Sequence, residues 1–103
     1  MFGKISIIGC GLIGSSILRA TQEKKLATKI SVYDKSNEVI EYCKKNFTAD
    51  ICSNVTESVK DADLIIISAP LSSYKEILLS IKSSLKEGSI LTVSYTHLRA
   101  HET

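Results

Sequence analysis

The sequence predicts an α/β protein built on an open, doubly wound parallel sheet with helices on both faces. Three observations predict it. Short apolar runs alternate with amphipathic segments along the chain. A glycine-rich turn joins the first run to the first amphipathic segment, and an acidic residue closes the second run 20 residues past the last glycine of that turn. Strands separated by helices of roughly 10–15 residues make βαβ units, which pair in parallel with right-handed crossovers. The expected strand order is 3-2-1-4-5.

Lys4 to Gly9 is rich in isoleucine and ends at glycine, as a buried strand does. Leu12 to about Glu23 follows as a helix, with Ile13, Ser16, Ile17 and Ala20 on one face. Lys29 to Tyr33 is the second strand. Ser36 is placed to cap a helix that runs to about Asn46, with Glu38 and Glu41 near its positive end. Its apolar stripe is Val39, Ile40, Cys43 and Phe47. Asp50 to Cys52 forms a minimal third strand, and Asn54 to Val59 a short helical turn. Asp63 to Ser68 carries the continuous LIII run that a strand covered on both faces requires. Pro70 sits where a helix begins. Tyr74, Ile77, Leu78, Ile81 and Leu85 mark that helix, and Gly88 is expected to close it. Ser89 to Thr92 starts the last strand.

Gly9-Cys10-Gly11-Leu12-Ile13-Gly14 has the G-x-G-x-x-G spacing. It follows a strand, opens a helix and precedes the acidic Asp34 at the end of the next strand, the setting that gives the pattern meaning. Gly9 permits the tight turn, Gly11 lets the backbone approach a pyrophosphate, and Gly14 lets the helix pack close to the sheet. Backbone N–H groups around Leu12 and Ile13 then face the phosphates at the positive end of the helix. The Asp34 carboxylate suits both hydroxyls of an adenosine ribose and repels a 2′-phosphate. The expected cofactor is therefore NAD, with NADP disfavoured, on a Rossmann-type sheet.

Composition narrows the function further. The chain has 103 residues, 44% hydrophobic and 23% charged, which fits one globular domain and excludes disordered and collagen-like classes. The longest aliphatic run, Leu64 to Ile67, falls far short of the roughly 18 residues of a membrane span. The Ile5 to Ile8 block is too short for a signal-peptide core. A cytoplasmic location and no membrane partner are expected. The 13 basic residues are scattered and there is no Trp, so no nucleic-acid partner is expected. Cys10, Cys43 and Cys52 lack metal-ligand spacing and read as reduced thiols, small buried hydrophobes.

Val93 to Thr103 reads VSYTHLRAHET, similar to one reading frame of a transposase adapter used in sequencing libraries. We therefore assign residues 1–92 to the dinucleotide-binding domain, cut off inside its fifth strand, and set 93–103 aside as a non-native tail. His97 and His101 both lie in that tail, and the preceding 92 residues hold no histidine. No metal site is expected.

The stretch IIGCGLIGSSILRA, with small residues directly after the third glycine, resembles the prephenate and arogenate dehydrogenases. ADLIIISAPLSSYKEIL is similar to that family's fourth strand, its Pro-containing turn and the helix beyond, and LKEGSILT to its approach to the fifth strand. The family continues with Asp-Val-Gly-Ser-Val-Lys, from which this chain departs at Val93. The resemblance implies that Gly9, Gly11, Leu12, Ile13 and Gly14 hold the pyrophosphate, and that Asp34 holds the adenosine ribose. It implies that Ser68, Ala69 and Pro70 pass beside the nicotinamide ribose. It also implies a full-length homodimer acting on a small molecule, prephenate or arogenate, by oxidative decarboxylation in tyrosine biosynthesis. The family's catalytic histidine, serine and arginines lie beyond the fifth strand, so no catalytic residue is assigned in this chain.

Two other readings stand beside this one. A β-hydroxyacid or pyrroline-carboxylate type of dehydrogenase shares the fingerprint, although the β-hydroxyacid group is expected to carry Gly-x-Met-Gly where this loop has Gly-Leu-Ile-Gly. A non-catalytic nucleotide-sensing module shares it too, and is told apart by whether a helical catalytic domain or an effector domain is joined to the sheet.

Overall fold

The computed structural model describes residues 2–9, 12–68 and 71–93, leaving out the side chains of Leu12, Ile13, Leu71 and Val93. Cys10, Gly11, Ala69, Pro70, His97 and His101 fall outside the described residues.

The elements are β1 (Phe2–Ile8), α1 (Leu12–Lys24), β2 (Ala27–Tyr33), α2 (Asn37–Asn46), β3 (Asp50–Ile51), α3 (Val55–Val59), β4 (Leu64–Ile67), α4 (Leu71–Ile81) with a 3₁₀ turn at Lys82–Ser84, and β5 (Ile90–Val93). The strands form one sheet in the order β3-β2-β1-β4-β5. Every pairing is parallel. This is the expected Rossmann-type α/β sheet, and its strand order reverses at β1, between β2 and β4.

The period-2 alternation of the strands divides the core in two. Ile5, Ile7, Val32 and Ile66 point to one face, where they bury Leu18 of α1 with Cys43 and Phe47 from the region of α2. Ile8, Ile65 and Ile67 point to the other, against Val59 of α3 and Ile81 of α4. That second face also carries polar side chains. Ser6 and Ser31 are register partners on β1 and β2, and both are buried. The Ser6 and Ser58 hydroxyls share a hydrogen bond at 2.7 Å, and Ser31 Oγ donates to the Ser58 carbonyl at 2.7 Å. Three buried hydroxyls are thereby satisfied among themselves, which removes most of the cost of burying them.

Local signals explain the helix ends. Ser36 Oγ accepts from the Val39 N–H at the start of α2, and Asn54 Oδ1 accepts from the Glu57 N–H at 2.8 Å at the start of α3. α1 ends in a Schellman motif: the Leu26 N–H reaches the Thr21 carbonyl at 3.1 Å and the Lys25 N–H the Gln22 carbonyl at 3.3 Å. Lys25 takes the left-handed position there, with φ 52°.

Two expectations are corrected. Ser16 and Ala20 of α1 are exposed, and the helix instead buries Gly14, Leu18 and Thr21. The cause is the close contact of Gly14 with the sheet, which fixes the rotation of the helix. Gly88 does not close α4, which has already given way to the 3₁₀ turn by Lys82. Gly88, at φ 87°, is the third residue of a turn in which the Ser89 N–H donates to the Lys86 carbonyl at 3.2 Å. A positive φ at that position is the mark of a type II turn.

At the amino end of the strands, Asp63 ties the sheet together. Its Oδ2 accepts from the Gly3 N–H at 2.8 Å and the Lys4 N–H at 3.2 Å. Its carboxylate also pairs with Lys86. Its backbone bridges Lys4 and Ile90, at 2.9 Å and 2.8 Å. The Lys86 contact, with the two backbone donors, holds the Asp63 carboxyl below the ordinary carboxylate range.

Candidate cofactor site

The carboxyl ends of β1, β2 and β4 are laced together by their backbones. The Gly9 N–H donates to the Tyr33 carbonyl at 2.8 Å, and the Ser68 N–H to the Ile8 carbonyl at 2.7 Å. Gly9 takes φ 91°, a conformation that a side chain would resist, and so turns the chain out of the sheet. Gly14, on the first turn of α1, then lies directly on that bend. A Cβ on Gly14 would collide with the Gly9 carbonyl oxygen and sit 3.1 Å from its carbonyl carbon. The two glycines therefore bring the amino end of α1 down onto the end of β1, where helix N–H groups can meet an anion.

Asp34 stands just past β2. Its Oδ1 accepts the Ser36 N–H at 2.8 Å, which fixes the carboxylate at the strand end while Ser36 caps α2. A cleft of about 370 Å³ opens at these strand ends. Ile8 and Gly9 form its floor. Tyr33, Asp34 and Lys35, with Val55 at the start of α3, line one side. Ser68 and one face of α4 line the other. Two other hollows, of about 470 and 420 Å³, lie beside Thr21, Lys25 and Thr28 and beside Lys4, Lys60 and Asp61. Position rather than volume singles out the first: ligands of open α/β sheets bind outside the carboxyl ends of the strands, where the strand order reverses.

Of the residues expected at the site, Gly9, Asp34 and Ser68 line this one cleft. Gly14 underlies it through Gly9. Leu12 and Ile13 begin α1, where the backbone donors were expected. Gly11, Ala69 and Pro70 lie outside the described residues. The sequence reading missed the α4 wall. Ser73, Glu76, Ile77 and Ser80 face the cleft, and their i, i+3, i+4, i+7 spacing is a helix face. The signal was present but overlaid, because Ile77 also belongs to the core stripe with Tyr74 and Leu78. Of the cysteines, Cys43 is buried as expected and Cys52 half-buried. Burial, with Glu57 nearby, holds the Cys52 thiol above its ordinary value, away from the reactive thiolate.

The arrangement has relatives among known proteins. The chain is 32% identical over 92 residues to the cyclohexadienyl dehydrogenase of Zymomonas mobilis, an alignment covering 88% of this chain and 31% of that protein. It is 33% identical over 94 residues to the L-aspartate dehydrogenase of Methanocaldococcus jannaschii, covering 88% and 34%. The chain thus spans about a third of the length of these relatives. Among solved structures it is similar to the prephenate dehydrogenase of Aquifex aeolicus in complex with hydroxyphenyl propionate and NAD+. There the TM-score is 0.81 at 19% identity, over 92% of this chain and 34% of that one. A family model described as NADP oxidoreductase, coenzyme F420-dependent, matches residues 4–96, nearly the whole chain, and the protein belongs to that family.

Proposed function

We propose that the chain is the NAD-binding domain of a dehydrogenase acting on a small molecule, of the prephenate or arogenate type. One observation carries the cofactor reading: Gly9, braced by Gly14, and Asp34 meet at one cleft at the point where the strand order reverses. On this reading the amino end of α1 takes the pyrophosphate at Gly9, Gly11, Leu12, Ile13 and Gly14, and Asp34 accepts the adenosine ribose hydroxyls. Ser68, Ala69 and Pro70 run beside the nicotinamide ribose. Bound NAD supplies the hydride acceptor, and the protein supplies orientation and electrostatics.

The substrate reading rests on the GLIGSS and SAPLSSYKEIL blocks and on the Zymomonas mobilis relative. Residues 1–92 contain no histidine to move the hydroxyl proton, so on this reading the chemistry belongs to the part of the relatives that this chain does not cover. We extend the proposal to a cytoplasmic homodimer for the full-length enzyme and to a non-native origin for residues 93–103.

The first test is a titration of the chain with NADH and NADPH. NADH is expected to bind more tightly, and Asp34→Asn to weaken NADH by about tenfold, the loss of a charge-assisted hydrogen bond. Tighter binding of NADPH refutes the assignment of Asp34. The second test reads the source gene across codon 93 without adapter-based libraries and assays the complete frame with prephenate, arogenate and L-aspartate. Turnover of L-aspartate alone would refute the substrate reading.

A further inference from the structure

We infer that Lys35 narrows the preference of this site for NAD over NADP, by pairing with a 2′-phosphate that Asp34 alone would repel. The inference rests on the cofactor reading proposed for this cleft. On that reading Asp34 accepts the hydroxyls of the adenosine ribose. In NADPH one of those hydroxyls carries the phosphate, so the phosphate sits against Asp34 whatever pose the base takes. Lys35 is the next residue in the chain and lines the same cleft. Its ammonium, on a flexible four-carbon stem, can follow the phosphate without a fixed geometry.

The neighbouring groups leave this task to Lys35. Of the described residues that line the cleft, Lys35 is the one cation, set against Asp34 and, on the α4 wall, Glu76. A carboxylate offers a phosphate no proton and repels it. Tyr33 packs against the core beneath the cleft, and Ser73 and Ser80 lie on the far wall with Glu76. The amino end of α2 follows at Asn37, but the Ser36 hydroxyl already takes the Val39 N–H there, and Glu38 stands in the first turn. Asp34 is tied back by the Ser36 N–H at 2.8 Å, so it does not swing away from the phosphate. Repulsion by Asp34 and attraction to Lys35 therefore act on one group, and their difference sets the margin between the two cofactors.

The test titrates the full chain with NADH and NADPH, read by nicotinamide fluorescence, in the wild type, Lys35→Ala and Lys35→Arg. The wild type is expected to bind both, NADH more tightly. Lys35→Ala is expected to widen the NADH-to-NADPH affinity ratio by about fivefold or more, the loss of an exposed charge pair whose partner is a phosphate. Lys35→Arg keeps the cation and should not widen it. The ratio is the readout, because losing a positive charge near the pyrophosphate weakens both dinucleotides alike. Lys35 is exposed, so both variants should melt with the wild type. An unchanged ratio in Lys35→Ala, an equal widening in Lys35→Arg, or a wild type that binds NADH with no measurable affinity for NADPH overturns the inference and leaves the cofactor reading standing. Binding of neither dinucleotide overturns both.

Discussion

Gly14→Ala tests the geometry on which the site depends. A single methyl there would meet the Gly9 carbonyl oxygen at far less than contact distance, with the carbonyl carbon at 3.1 Å and Ile7 Cγ2 at 3.7 Å. The first two obstacles are backbone. Gly9 is pinned to β2 by its 2.8 Å hydrogen bond to the Tyr33 carbonyl and cannot step aside cheaply. The helix must move instead, which loosens Leu18 and Thr21, now 0% and 3% exposed. Overpacking of this kind costs about 1–3 kcal/mol, and a clash against fixed backbone belongs at the top of that range. Alanine recovers about 1 kcal/mol of helix propensity. The net loss is about 2 kcal/mol, or roughly 8–16 °C in Tm for a domain of this size. The same movement lifts the amino end of α1 from the cleft, so NADH affinity should fall by at least about tenfold. Thermal denaturation and an NADH titration measure both effects. Gly88→Ala is the control, because its Cβ would meet nothing within 4 Å while its φ of 87° still penalises a side chain. It should lose about 1 kcal/mol and leave NADH binding unchanged. A Gly14→Ala protein with the wild-type Tm and affinity would refute the close-contact argument.

Other sites give independent expectations. Lys25→Gly should raise stability by about 0.5–1 kcal/mol, because φ 52° at the end of α1 burdens any side chain; an unchanged urea midpoint would count against it. Asp63 has its carboxyl pKa depressed by Lys86, Lys4 and Gly3. Its contribution is therefore complete above the ordinary carboxylate value of about 4 and is lost as pH falls through the lower folded value. Asp63→Asn should lower the urea midpoint at pH 7 and converge with the wild type near the acid limit, and an equal gap at both pH values would contradict the linkage. Ser58→Ala strips the Ser6 hydroxyl of its 2.7 Å partner and should cost about 1–3 kcal/mol. Ser6→Ala added to it should cost much less than the two single losses together, and strict additivity in the cycle would show that the hydroxyls are not coupled.

How much of the fold and the cleft was legible in the sequence depends on the range of the interactions. The apolar strand runs, the Ser36 cap and the glycine spacing are local, and they placed the sheet and its order. The rotation of α1 was not local. Of the expected apolar face, Ser16 and Ala20 are exposed while Ile17 still packs against the core, because the helix seats Gly14 against Gly9 and no gain from burying an alanine offsets a backbone collision. The glycine motif, once Gly14 is fixed against the sheet, predicts the burial of Leu18 and Thr21, four and seven residues beyond it. The serines of β1 and β2 were hidden for a similar reason. Each is a polar residue between apolar ones, with no neighbour in sequence to satisfy it, and only the parallel register, with α3 laid across it, brings Ser6 and Ser31 to Ser58. The α4 wall is the complementary case. Its cleft face and its core stripe overlap at Ile77, and hydrophobic periodicity reports the stripe that buries more apolar surface. Polar residues beside such a stripe, at i−4, i−1 and i+3 from a shared apolar residue, are where a second function of a helix is written. Ser73, Glu76 and Ser80 hold those positions around Ile77, and with it they form the wall that α4 gives to the cleft.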